Sequence, residues 1–374
     1  MTHAKNGILA AAILLGLAAA ADAQDVIRLK SGTEVKAKIT AMTSQSITYS
    51  ETGGKVTTVK AVDVADVTLG DPPPSLAKAD AALANGQYDK AINHYAPALE
   101  EIAAKKARDL HKQFVHFKWA QALALKGSPN EALDMYRKLR NEGNDCWLRG
   151  PSFQRSLEIA KGKAETYENI LKEMKAEPEP VGSQAELELA KLKYTAGEFD
   201  AARAGFDKVA ANTASPFAGD AKLFSLRCIR GLKKFDELEG ACKRILDDKT
   251  NSSPALLQAA GAWMAEMQLK KFEKDKTKWR DILMVCIQAI ALGPPATKEE
   301  GEDYALALIT GGKCYVLLGT AAEKDDAKEE YKNRAIAYYR EVERAYSKSP
   351  LAEVAKKEIV ALGGGGGEAP KPPK

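Results

Sequence analysis

The chain has 374 residues, of which 45% are hydrophobic and 28% are charged. This composition is too apolar for a chain that is disordered throughout, and the length allows two folded units. Lys and Arg number 55 against 51 Asp and Glu, a balance without the strong basic excess that nucleic-acid binding requires. We therefore expect a folded protein that does not bind nucleic acid.

The first 23 residues have the three parts of a secretory signal peptide. Lys5 lies in a short polar start, an apolar run follows, and Ala21 and Ala23 supply the small residues before a cleavage site that we place after Ala23. The apolar run has about 15 residues, fewer than the ~20 that span a bilayer as a stable helix. The sequence thus predicts an exported protein, periplasmic or secreted, without a stable transmembrane anchor. A retained anchor is the weaker alternative.

Residues 24–70 alternate hydrophobic and polar side chains in short runs rich in Val, Ile and Thr. Turn formers such as Gly32 and the Gly53–Gly54 pair separate the runs. This pattern predicts five short antiparallel strands. The segment resembles small exported β-barrels of the SH3-like or Sm-like kind, which implies a closed barrel with a protein-interaction or packing role. Its nearly balanced charge makes RNA binding the less favoured alternative.

The strand pattern ends at residues 71–74, because proline cannot donate a ladder hydrogen bond. We assign these residues to a linker. From residue 75 to residue 362 the composition shifts to Ala, Leu, Lys and Glu with helical periodicity. Residues 363–374 are rich in Gly and Pro and predict a flexible tail. The chain is therefore expected to be mainly α, with a small β domain first.

The stretch NGQYDKAINHYAPAL, residues 85–99, resembles the second helix of a tetratricopeptide repeat. Gly86 falls at the turn between the two helices, Ala91 at their close contact and Tyr95 one helical turn later. This repeat is a helix-turn-helix unit of 34 residues. The pattern recurs with Ala132 and Tyr136, Ala202 and Phe206, Leu238 and Cys242, Ile282 and Cys286, and Ala335 and Tyr339.

The resemblance covers residues 75–362 and implies a solenoid of six or seven helix pairs. One pair, at 146–174, matches the pattern poorly. Near the end, residues 321–331 are an insertion or part of an extended helix pair. The segment LAEVAKKEIVAL then suits the helix that caps such arrays.

Proteins with these repeats generally bind peptide segments on the concave surface that the first helices form, so the resemblance implies such a groove. The residues expected there are Gln121, Lys191, Tyr194, Arg227, Arg230 and Lys313. The set is basic with one aromatic residue, which favours an acidic or carboxylate-ended partner segment. A solvated helical face is the alternative. Asn is missing from the repeat position that clamps chaperone tails in some members, so that clamp is absent in its usual form.

Five Cys are few for an exported chain of this size, and an odd number leaves at least one thiol unpaired. No CxxC motif is present. The Cys positions within the repeats suit small core residues. Cys228 and Cys242 fall on the two helices of one pair, where a disulfide is the alternative.

Residues that could carry catalysis are scarce. The chain has four His, and His111 and His116 are spaced so that they cannot share one metal ion, which leaves them a solvated or capping role. The motifs of serine hydrolases, phosphate-binding loops and zinc proteases are missing. The sequence therefore predicts no catalytic residue, no cofactor and no metal site.

The segment at residues 338–359 resembles repeats of periplasmic adaptors that act in outer-membrane assembly and in the tol-pal system. We therefore expect a non-catalytic protein-binding scaffold or adaptor of the cell envelope. A structural component attached to the cell wall is the alternative, and an enzyme of unknown type is a remoter one. The oligomeric state is not indicated.

Overall fold

The computed structural model describes residues 24–141, 145–248, 252–294 and 298–364. The predicted signal peptide lies outside the described residues, as does the predicted tail beyond Gly364. The chain divides into two compact units, Met1–Ile170 and Leu171–Lys374. Helices dominate the described residues, as the sequence predicts.

Unit 1 begins with a five-stranded antiparallel sheet. Its strands are β1 (Asp25–Leu29), β2 (Glu34–Met42), β3 (Ser46–Ser50), β4 (Val56–Lys60) and β5 (Val64–Thr68). Their order across the sheet is β4-β3-β2-β1-β5, so β4 and β5 are the two edges. The expectation of a closed SH3-like or Sm-like barrel is therefore wrong, because closure requires the edge strands to pair.

Side chains from beyond the strands cover the apolar face of the open sheet. Ile27, Ile39 and Ile47 form the centre of this face. Phe114 and Trp147, which follow the sheet in the chain, pack against it. A barrel would bury the same side chains by closing on itself. In this chain the apolar side chains of the sheet are buried although the edge strands β4 and β5 do not pair.

The helices of unit 1 are α1 (Pro74–Ala84), α2 (Tyr88–Ala103), α3 (His111–Lys126), α4 (Pro129–Asn141) and α5 (Arg149–Ala160). The next helix, α6 (Ala164–Met174), runs across the boundary between the units. Gly86, at the turn between α1 and α2, has a φ of 70°, which L side chains rarely adopt. Gly127, at the turn between α3 and α4, has a φ of 95°. These glycines lie where the repeat pattern predicts the turns of helix pairs.

Unit 2 continues the helix pairs with α7 (Val181–Thr195), α8 (Phe199–Ala211), α9 (Ala218–Gly231), α10 (Phe235–Asp247), α11 (Pro254–Lys271), α12 (Trp279–Ala291), α13 (Lys298–Ala321) and α14 (Asp325–Ala345). A last helix, α15 (Pro350–Ala361), follows. The small residues predicted at the helix contacts are buried, Ala202 among them. Aromatic residues such as Phe206 and Tyr339 are fully buried as well. The architecture is thus tetratricopeptide-like.

The last helix pair is longer than the others. Helix α13 has 24 residues and α14 has 21. The extra length expected around residues 321–331 is therefore shared between two extended helices. By length and composition, Gly301–Ala321 of α13 could cross a membrane, but 61% of its apolar window is buried within the protein. The core helix of a folded domain has the same properties.

Candidate interaction cleft

Unit 2 contains a cleft of about 390 Å³ whose lining comes from the first helices of four successive helix pairs. Its residues are Tyr194 on α7, Phe224, Arg227, Arg230 and Gly231 on α9, Trp263 on α11, and Glu302 and Asp303 on α13. First helices are the elements that the repeat pattern assigns to a binding groove. Of the six predicted groove residues, the structure brings Tyr194, Arg227 and Arg230 together here.

A buried ion pair forms the floor of the cleft. Arg227 Nη2 donates to Asp303 Oδ2 at 2.7 Å, and Trp263 Nε1 donates to Asp303 Oδ1 at 3.0 Å. Both side chains of the ion pair are less than a tenth exposed. Charge-assisted hydrogen bonds of this kind fix the geometry of the groups that make them. The arrangement of Arg227, Trp263 and Asp303 is therefore fixed within the folded chain.

Aromatic rings form one wall. The ring of Phe224 lies edge-on to Tyr194, with centroids 5.8 Å apart, and stacks on Phe206 at 5.2 Å. The Arg227 guanidinium lies 5.1 Å from the Phe224 centroid, within cation–π range. Burial raises the pKa of the Tyr194 hydroxyl above its usual value, and Arg227 opposes this effect. Tyr194 therefore meets a ligand as a neutral phenol.

Each predicted basic residue near the cleft has an acidic partner. Lys191, whose ammonium lies 5.3 Å from the Phe224 centroid, pairs with Glu188 at 2.9 Å. Arg230 pairs with Glu266 at 3.0 Å and lies 5.5 Å from the Trp263 centroid. These acids, together with Asp303, offset the positive charge that the sequence pattern emphasised. The cleft is amphipathic and of mixed charge.

Two predicted groove residues lie elsewhere. Gln121 is on α3 in unit 1 and is half-buried. Lys313 is exposed on α13, roughly 15 Å further along the helix axis than Asp303 at 1.5 Å per residue. The repeat pattern placed Lys313 in the groove from its position beside Gly312 and Tyr315. In the longer α13, the first turns carry the lining residues instead.

Five lining residues were not predicted from the sequence: Phe224, Gly231, Trp263, Glu302 and Asp303. The Trp in the apolar stretch of α11 was a usable signal, since buried Trp residues need a partner for their indole N–H. Asp303 gave no comparable signal. It is 76 residues from Arg227, and only the packing of α9, α11 and α13 brings its carboxylate to the cleft.

The two histidines of α3 are buried, which contradicts the expectation that they are solvated. His111 Nε2 lies 3.1 Å from the carbonyl oxygen of Gly70, and its Nδ1 lies 3.2 Å from that of Arg108. His111 thus connects the segment after β5 to the start of α3. Within the described residues, no group of three or more His, Cys, Asp or Glu side chains is placed to hold a metal ion.

No protein-family model matches the chain, and neither does any curated protein. Among solved structures, the C-terminal part of a tetratricopeptide repeat-containing protein from Cytophaga hutchinsonii has 13% identity and a TM-score of 0.42, with 75% of this chain and 98% of that chain covered. A tetratricopeptide repeat protein from Parabacteroides merdae has 14% identity and a TM-score of 0.36, with coverages of 77% and 97%.

PilW, a widely conserved type IV pilus biogenesis factor, has 13% identity and a TM-score of 0.37, with coverages of 67% and 100%. Likenesses at this level carry no information about partners or pathway. The helix-pair architecture is seen in the chain's own geometry.

Proposed function

We propose that this protein is an exported, non-catalytic scaffold of the cell envelope that binds a protein partner through a peptide segment in the cleft of unit 2. The proposal rests on one observation. Four first helices, α7, α9, α11 and α13, all contribute residues to the lining of the same cleft. A surface built from successive first helices suits an extended segment that runs across them.

The chemistry of the cleft indicates what such a segment offers. Tyr194, Phe224 and Trp263 present aromatic surface to an apolar or aromatic side chain. The Arg230 side chain is about a third exposed, so it remains accessible to a carboxylate or a backbone carbonyl. Glu302 is exposed and suits a backbone N–H or a cation. We therefore propose that the partner segment is amphipathic and places one carboxylate near Arg230. The sequence predicted an acidic segment, and this single carboxylate is the part of that prediction that the proposal keeps.

Affinity capture from envelope extracts tests this proposal. The bait is the chain produced from its full coding sequence, and the variants Tyr194→Ala and Arg230→Ala remove one aromatic and one charged lining group. Lys313→Ala is the matched control, because Lys313 is exposed on α13 outside the cleft lining. Loss of a captured protein with both cleft variants but not with Lys313→Ala supports the proposal. Equal capture by all four proteins contradicts it.

Cell fractionation separates the envelope adaptor from its alternative. A periplasmic adaptor is released with the soluble periplasm after the outer membrane is opened. A structural component remains with the wall material. Recovery of the chain only in the cytoplasm would contradict both, because both require export.

A further inference from the structure

The five Cys of the chain all lie among the described residues, and none of them is in a disulfide. Cys228 and Cys242, the pair considered from sequence, belong to different core clusters. Cys286 on α12 and Cys314 on α13 belong to the same cluster, and both are fully buried. The neighbouring Cys314 thiol contributes, together with burial, to raising the pKa of Cys286. These two thiols therefore face each other across a helix interface.

The approach of the two helices at this point is close. Gly311 lies one helical turn before Cys314, and a Cβ atom built on Gly311 would lie 3.4 Å from Cys286 Cβ. A side chain at 311 would also meet the ring of Tyr338 at 3.0 Å. The glycine thus permits the backbones to approach near the two thiols. Disulfides need Cβ atoms about 3.5–4.5 Å apart, a separation that only closely packed elements provide.

We infer that Cys286 and Cys314 are a disulfide site that links α12 to α13. An exogenous disulfide, such as oxidised glutathione, is the oxidant. The thiolate of one cysteine attacks this disulfide, releases one molecule of glutathione and forms a mixed disulfide. The thiolate of the other cysteine then attacks the protein sulfur of the mixed disulfide and releases the second glutathione. Two protein thiols lose two electrons and two protons, which the two glutathione thiols carry away.

Burial determines when the bond forms. Both thiols are inaccessible in the folded chain, and the neighbouring Cys314 thiol together with burial raises the pKa of Cys286. Exchange therefore occurs while α13 is still packing onto α12. Once formed, the bond is shielded from reductants. It closes a loop of about 28 residues and reduces the conformational freedom of the unfolded chain.

This inference does not depend on the proposed partner, and a thiol count tests it. The chain, produced from its full coding sequence, is reduced, denatured and refolded in a glutathione redox buffer. It is then quenched with acid, denatured and alkylated. We expect three of five cysteines to be alkylated, with one cross-linked peptide pair containing Cys286 and Cys314. Alkylation of all five, or a cross-link between any other pair, would overturn the inference.

Two variants and a melting measurement give an independent reading. Cys286→Ala should show four alkylated cysteines and no cross-link. Cys242→Ala, which also removes a buried thiol, should keep the cross-link and show two. Reduction in denaturant, followed by refolding under reducing conditions, should lower the melting temperature of the wild type and of Cys242→Ala by roughly 5–10 °C relative to their oxidised forms, and leave that of Cys286→Ala unchanged. An equal response of all three proteins would contradict a stabilising cross-link.

Discussion

Arg227 on α9 donates a hydrogen bond of 2.7 Å to Asp303 on α13, across a sequence separation of 76 residues. Trp263 on α11 donates to the other oxygen of the same carboxylate. One side chain thus joins three helices of unit 2. Removing one partner of a buried ion pair leaves an uncompensated charge, which typically costs about 3–5 kcal/mol.

We therefore expect Asp303→Ala to lower the free energy of unfolding of unit 2 by about 3–5 kcal/mol. Replacing both partners, as in Arg227→Met with Asp303→Leu, should restore much of the loss, because no buried charge is then left unpaired. Urea denaturation measures both effects. The control is Glu330→Ala, which breaks the exposed pair with Arg334 and should cost less than about 1 kcal/mol. Similar losses in the control and in Asp303→Ala would contradict the role of the buried pair.

A second buried carboxylate, Asp25, holds the first strand of unit 1 to the helices. Its oxygens accept hydrogen bonds from the backbone N–H of Ile39 at 2.6 Å and of Gly70 at 2.8 Å. Arg108 Nη1 donates to both oxygens, at 2.7 and 2.9 Å. The Asp25 side chain thus connects β1, β2 and the segment after β5 to the segment that precedes α3.

Asp25→Ala should destabilise unit 1 by about 3–5 kcal/mol, since it leaves the Arg108 cation and two backbone donors without their acceptor. Chemical denaturation, followed by fluorescence in a variant that keeps Trp147 as its single Trp, measures the change. Glu34→Ala is the control, because the Arg28–Glu34 pair lies on the same sheet and is half exposed. We expect a loss below about 1 kcal/mol there. Equal losses for both variants would refute the Asp25 junction.

The neighbouring His111 makes unit 1 sensitive to pH. Burial lowers the pKa of its imidazole in the folded protein, nearby Arg108 adds to this effect, and Asp25 and two backbone carbonyls oppose it. The folded state therefore binds fewer protons than the unfolded state between the folded pKa and about 6.5. The free energy of unfolding should therefore fall as pH falls through this window. Above the window, the stability that neutral His111 contributes is fully present.

Denaturation of unit 1 at several pH values from 7.5 to 5 measures this loss. His111→Gln removes the titrating group and should flatten the pH dependence in this window. Other groups that titrate between pH 5 and 7.5 remain in both proteins, so the difference between the two curves isolates His111. Identical curves for wild type and variant would contradict a lowered pKa of His111.

Local features of the sequence account for the helix pairs better than for the sheet. The turns at Gly86 and Gly127 and the helix contacts at Ala91 and Tyr95 were predictable from the sequence. Each of these features depends only on residues that are close in the chain. Whether β4 pairs with β5 depends instead on what covers the sheet. Phe114 and Trp147 supply that cover from beyond the strands, and no pattern within residues 24–70 reveals it.

The cleft was predictable in part for the same reason. Tyr194, Arg227 and Arg230 lie on first helices of standard length, so the repeat register located them. Lys313 lies further along α13, outside the cleft lining. The acidic partners of Arg227 and Arg230 were missed because these ion pairs join different helices and depend on tertiary packing. The sequence alone therefore indicated a basic groove where the structure has a cleft of mixed charge.

Gly312 on α13 offers a test of the extended last helix pair. A Cβ atom at this position would lie 2.5 Å from Cε1 and 2.7 Å from Cζ of the fully buried Tyr339 ring on α14. Gly312→Ala should therefore destabilise unit 2 by about 1–3 kcal/mol, as overpacking of a core does. Gly240→Ala is the matched control, because the nearest atom to its added Cβ is the end of the Arg244 side chain at 3.8 Å. There the higher helix propensity of Ala should stabilise α10 by about 0.5–1 kcal/mol. Thermal and urea denaturation measure both variants, and shifts of the same sign would contradict close packing of α13 on α14.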